Sequence, residues 1–227
     1  MVADPRGVAD RHADPVVRAL LRLTIDVTER PWALTAADLE RARAGGLDGP
    51  GILHAVLQTS LFGHFNRIAD AVGVDADYPD SFGAPHLVPS TPPYLWPDSV
   101  PDPGTPQPIQ LTERPGAVEL VTAWRQHALE RDAPLTRHHR AVVAHAVAER
   151  LGDATVSPAI PADDIDRALV TLADIVTLAP WKLDHDAYAP VRALGLADDA
   201  EVFDAVATAS ACTVFSRLNV TLAAFAR

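Results

Sequence analysis

Two stretches of this chain carry the same landmarks in the same order. Ala19-Leu20 and Ala168-Leu169, Pro31-Trp32 and Pro180-Trp181, and Gly46-Leu47 and Gly195-Leu196 recur at one spacing. After one inserted residue, Ala55-Val56 matches Ala205-Val206, Ser60 matches Ser210, Phe65 matches Phe215 and Arg67 matches Arg217. A Pro-Trp pair, a Gly-Leu pair and a late Phe-x-Arg kept in order over about sixty residues mark an internal repeat. The expected unit is helix, short helix, long helix, and the expected fold class is all-α.

Composition agrees with helices. Nearly half of the 227 residues are apolar and only 6% are aromatic, and β-branched residues form no alternating runs. The formal charge of −11 and the lack of a basic stripe argue against nucleic acid or an anionic membrane surface as partner. The single cysteine, Cys212, lies in the apolar run 209–215 and reads as a buried structural thiol, so no disulfide or CxxC pair is available within one chain. Residues 1–12 are charged and lack an apolar core of the signal-peptide kind, and no membrane span is apparent, so a cytoplasmic location is expected.

Helix punctuation is dense. Asp14-Pro15 combines an N-cap acid with proline at the first helical position, and that helix should stop before Pro31. Thr35 and Asp38 have capping-box spacing, and Gly45-Gly46 ends the short helix they open. Pro50 starts a helix through Val72 with too many apolar residues for one stripe, so it should be largely buried. Residues 74–115 hold eleven of the twenty prolines and are expected to be extended, with their aromatic residues lying on the helices. Further helices are expected over 116–131, from Leu135-Thr136 to Leu151-Gly152, after an Asp163 cap, and from Asp199 to Ala226. Pro190 should break or delay the helix near Asp184 to Leu194.

Residues 135–152, Leu-Thr-Arg-His-His-Arg-Ala-Val-Val-Ala-His-Ala-Val-Ala-Glu-Arg-Leu-Gly, resemble the opening helix of the carboxymuconolactone decarboxylase and alkylhydroperoxidase D superfamily. Residues 62–73, Phe-Gly-His-Phe-Asn-Arg-Ile-Ala-Asp-Ala-Val-Gly, resemble the Phe-x-Asn-Arg-x-Ala-Asp-x-x-Gly signature that closes a unit of that superfamily. The resemblance implies a partial unit over 1–77, a Pro-rich connector over 78–115 and a fuller unit over 116–227. It also implies a homo-oligomer. In this alignment Asp153 and Val156 occupy the places of the two thiols, Ala141 that of the proton-relaying glutamate, and Thr155 and Ile160 those of the associated histidines. A thiol peroxidase needs a thiolate, a resolving partner and a base, so peroxide reduction by a cysteine pair is excluded.

Candidate site residues fall on the helix that carries the signature. Helical spacing groups Ser60, His64 and Arg67 on one strip, where His64 could act as acid or base while Arg67 holds a carboxylate. Asn66, Asp70, Arg217 and His54 complete the set as substrate-binding candidates. The plainer alternative is a structural Arg67 paired with Asp26 or Asp174. His54 and His64 are ten residues apart, too far to share a metal, and no H-x-x-x-H or H-E-x-x-H spacing occurs, so no metal and no cofactor are expected. Two readings remain. One is a cysteine-free decarboxylase-like enzyme acting on a small anionic or lactone substrate; the other is a catalytically inactive fold that binds a small molecule or assembles.

Overall fold

A computed structural model describes residues 4–74 and 115–225. Among the described residues the regular structure is entirely helical, and no helix is long and apolar enough to cross a membrane. The expected connector over 78–115 lies outside the described residues apart from Pro115, which begins a helix.

The first group of elements is α1 (Pro5–Arg11), α2 (Pro15–Glu29), a 3₁₀ turn (Pro31–Ala33), α3 (Ala36–Ala44) and α4 (Gly49–Ala71). The second is α5 (Pro115–Leu129), α6 (Arg137–Leu151), α7 (Asp164–Leu178), a 3₁₀ turn (Pro180–Lys182), α8 (His185–Ala193) and α9 (Asp199–Phe225). The series α2, turn, α3, α4 thus has the same order as α7, turn, α8, α9.

Local chemistry sets most boundaries. Asp14 Oδ1 accepts from the Val16 and Val17 amides at 2.8 and 3.3 Å, satisfying two of the unpaired donors at the start of α2. Asp38 reaches back so that one carboxylate oxygen accepts from the Thr35 amide at 2.8 Å and the Thr35 hydroxyl at 2.6 Å. Asp163 caps α7 by accepting from the Asp166 amide at 3.0 Å. Gly152 ends α6 at φ +69°, and a Cβ there would come within 2.8 Å of the Trp32 Cβ, so glycine meets both the left-handed cap and the close passage of the Pro-Trp turn.

Two elements differ from the sequence reading. α8 begins at His185 and runs through Pro190 without a break. The missing amide would have served the carbonyl of Asp186, in the first turn, so a single bond near the helix start is forgone. The second difference is α1, which the charged N-terminal stretch did not announce. It is capped by Asp4, buries Ala9, and is tied to α2 by charge: Arg6 bonds Asp26 and Glu29 at 2.8 Å each.

α4 and α9 pack against one another, and α9 also lies on α6 and α7, so it forms the centre of the molecule. Each long helix also touches the 3₁₀ turn of the other series: α4 packs on Pro180–Lys182 and α9 on Pro31–Ala33. The core is aliphatic, with Val27, Ile52, Val142, Val147, Leu169 and Leu218 essentially fully buried. Between α5, α6 and α9 a buried ion pair replaces apolar packing. Arg140 is 0% exposed and donates to Asp204, to Thr208 Oγ1 at 3.0 Å and to the Ala128 carbonyl at 2.9 Å. Asp204 also accepts from Arg131 and from the Leu135 amide, at 2.9 and 3.0 Å.

Candidate functional site

The candidate residues sit on the C-terminal half of α4, where that helix faces α9 and the end of α7. Gly63 does not interrupt α4; a Cβ at this position would lie 2.9 Å from Arg67 Nη1. The space left by glycine lets the guanidinium fold back on its own helix, and Nη1 donates to the Gly63 carbonyl at 2.7 Å. Nε and Nη2 then cross to the last turn of α7 and donate to the Val176 and Thr177 carbonyls at 2.9 and 3.1 Å. Arg67 is only 8% exposed.

These two α7 carbonyls belong to the end of a helix, where they lack intrahelical amides and carry the negative end of the helix dipole. A cation is favoured there without any carboxylate. The suggested pairings with Asp26 and Asp174 do not occur, because Asp26 is taken by Arg6 and Arg30 and Asp174 by Arg150. Burial pulls the Arg67 guanidinium down to about 10, partly offset by Asp70; it stays charged at neutral pH.

Arg217 makes the mirror-image contacts. From α9 it donates to the Thr213 carbonyl one turn back and to the Thr28 carbonyl at the end of α2, both at 3.3 Å. Thr28 and Thr177 are matched positions of the two stretches, as are Gly63 and Thr213. Burial, followed by the nearby Arg67 charge, pushes the Arg217 guanidinium well below the ordinary arginine value.

His64 is half-buried. Its Nδ1 lies 2.8 Å from Ser210 Oγ on α9, and that hydroxyl is also 3.2 Å from the His64 carbonyl. The imidazole meets the Trp124 ring edge-on with centroids 5.1 Å apart, and Trp124 in turn meets Phe215 at 5.0 Å. Desolvation lowers the His64 pKa below the usual histidine value; the Ser210 hydrogen bond raises it and the Arg67 charge lowers it further. The neutral ring is therefore the resting form at neutral pH. Ser210 is 0% exposed, so the Ser-His contact offers no nucleophile to a molecule arriving from solvent.

The other candidates are dispersed. Ser60 is buried, and its hydroxyl has no partner among the described residues. His54 and Asn66 are exposed. Asp70 is half-buried, with its pKa raised by burial against the pull of Arg67. Ser210 and Trp124, the two side chains against which His64 rests, were not nominated from the sequence. The signal for Ser210 was nevertheless present, because the repeat pairs it with Ser60 and so places it on the matching long helix.

Comparison with models of protein families, with curated proteins and with solved structures finds nothing that matches this chain. The positions that the resemblance would give to thiols are held by other chemistry. Asp153 is buried and accepts from the Thr155 hydroxyl at 2.6 Å and from Asn219 at 3.0 Å. Burial pushes the Cys212 thiol up to about 12, which leaves it inert as a nucleophile near neutral pH. A second polar cluster joins His138 Nε2 to Asp166 Oδ2 at 2.8 Å, and the same carboxylate oxygen accepts from the Ala162 amide at 2.9 Å. That carboxylate is fully buried and ties α6 to the start of α7.

The structure also contains a cleft remote from these groups. It opens between α1, α2 and α3 with a volume of about 550 Å³, and neither His64 nor Arg67 lines it.

Proposed function

We propose that this chain is a catalytically silent relative of the alkylhydroperoxidase D-like proteins, built from a duplicated helix, short helix, long helix unit, and that it acts by binding rather than by turnover. The observation that carries this reading is the engagement of Arg67: all three of its nitrogens donate to main-chain carbonyls. With three of its five N–H groups used in this way and the side chain only 8% exposed, the guanidinium offers little to a substrate carboxylate arriving from solvent. One ring nitrogen of His64, Nδ1, is likewise taken up by the buried Ser210 hydroxyl. The duplication is supported by the exchanged caps, since one arginine of each series, Arg67 and Arg217, closes a helix of the other through matched positions. Assembly into a homo-oligomer belongs to the same reading, and Phe62 and Phe65, both exposed and three residues apart on α4, supply apolar surface for it.

Turnover assays test this against the acid-base alternative. A panel of small lactones and carboxylates is incubated with the wild type and with His64→Ala, and substrate loss is followed by mass spectrometry. Background rates for both proteins are the expected result. A wild-type rate that falls in His64→Ala by about 10²-fold or more, the usual contribution of a positioned acid or base, would overturn the proposal.

A further inference from the structure

The cleft between α1, α2 and α3 is lined by five arginines, Arg6, Arg18, Arg22, Arg30 and Arg41, in a chain whose formal charge is −11. Three aspartates share the same walls, so the cations are in excess there. Arg18, Arg22, Asp26 and Arg30 recur every four residues and form one row along α2, about 18 Å from end to end. Arg6 and Asp10 face this row from α1, and Asp38 and Arg41 from α3. Ala19, Leu23, Leu34 and Ala42 supply an apolar floor.

The pairing within the cleft is uneven. Arg6 and Arg30 share Asp26, Arg6 also bonds Glu29, Arg22 bonds Asp10 and Arg41 bonds Asp38. Arg18, half-buried, has no carboxylate partner among the described residues. At the far end, Arg30 and Arg41 are more than half exposed in pairs with Asp26 and Asp38. The carboxylates are largely buried, but Asp26 keeps Arg6 and Asp38 keeps the Thr35 amide and hydroxyl when Arg30 and Arg41 turn their exposed guanidinium groups to an incoming anion. The volume lies within the range of small-molecule sites, about 300 to 1,000 Å³.

We propose that this cleft binds a small organic anion bearing two carboxylate or phosphate groups, one held by Arg18 and the other by Arg30 and Arg41. The apolar floor takes the carbon frame between them. This gives the binding reading above its ligand class and rests on it, yet the cleft shares no residue with the His64 and Arg67 cluster. Failure here and failure of the turnover test are therefore distinguishable.

Isothermal titration of the full chain with sebacate and with hexane-1,6-diol bisphosphate, each carrying its two anionic groups at the ends of an extended apolar frame, at low and at physiological salt, tests the proposal, with acetate as the one-group comparison. The expected result is saturable one-site binding of at least one of the two probes, weaker at higher salt, with no saturation by acetate. Arg18→Gln is expected to weaken it by about tenfold or more, with an unchanged melting temperature for the free protein. Arg18→Lys keeps the charge without the fork and is expected to fall between the two. Absence of saturation by both probes, acetate binding as tightly as sebacate, or unchanged binding by Arg18→Gln and Arg18→Lys would each overturn it.

Discussion

His64 shows how a reactive side chain becomes part of the packing. Its ring lies between Trp124 and the Ser210 hydroxyl, and desolvation depresses its pKa. The folded value therefore lies below the unfolded one of about 6.5, so the unfolded chain binds more protons once the pH drops below that point. Stability contributed by the neutral ring is present above about pH 6.5 and is lost as the pH falls toward the folded pKa. Asp70, whose pKa is raised, acts in the opposite sense at lower pH, so the difference between two proteins is the informative quantity. Urea titrations between about pH 7 and pH 5 are expected to show the wild type losing more stability than His64→Gln; parallel curves would contradict this account of His64. The helical spacing of Ser60 and His64 correctly grouped them on α4, but spacing along one helix cannot say which side meets another. The hydrogen bond goes across to Ser210. Ser60 has no partner among the described residues, and the position matching His64 in the other series holds Val214, which cannot bond.

At the scale of elements, the sequence was most legible where chemistry is local. Asp14-Pro15, Thr35 with Asp38, Asp163 and Gly152 each mark a boundary through a cap that forms within three or four residues, and each lies where the spacing put it. Long-range pairing left no such mark. Arg140 and Asp204 are separated by 64 positions, and nothing beside either residue distinguishes them from surface charges. α1 escaped notice for a related reason, because apart from the buried Ala9 its attachment to α2 is through Arg6, Asp26 and Glu29. The Arg140 and Asp204 pair ties α6 to α9, and removing one partner strands a buried charge. Asp204→Ala is expected to cost about 3 to 5 kcal/mol in urea unfolding, with Asp204→Asn milder because it still accepts from the Leu135 amide. A loss below about 1 kcal/mol would mean that the pair behaves as a surface contact.

The whole molecule is held by an exchange between its two series of helices. Arg67 leaves the first to close α7 of the second, and Arg217 leaves the second to close α2 of the first. Tyr188 adds a further crossing, its hydroxyl donating to the Ala71 carbonyl at the end of α4 at 3.0 Å. Each series relies on the other to close at least one of its helix ends, so the two are expected to unfold together. The repeat was visible as matched letters, whereas the crossing was not, since similarity between two segments says nothing about which carbonyls an arginine will reach. On this account Arg67 is a helix cap that has no room for substrate. Exchange of its Nε proton with solvent, followed by ¹⁵N-resolved NMR, reports that state directly. The account predicts exchange far slower than for the exposed Arg30, because the Arg67 proton is buried and bonded to the Val176 carbonyl; exchange as fast as that of Arg30 would contradict it.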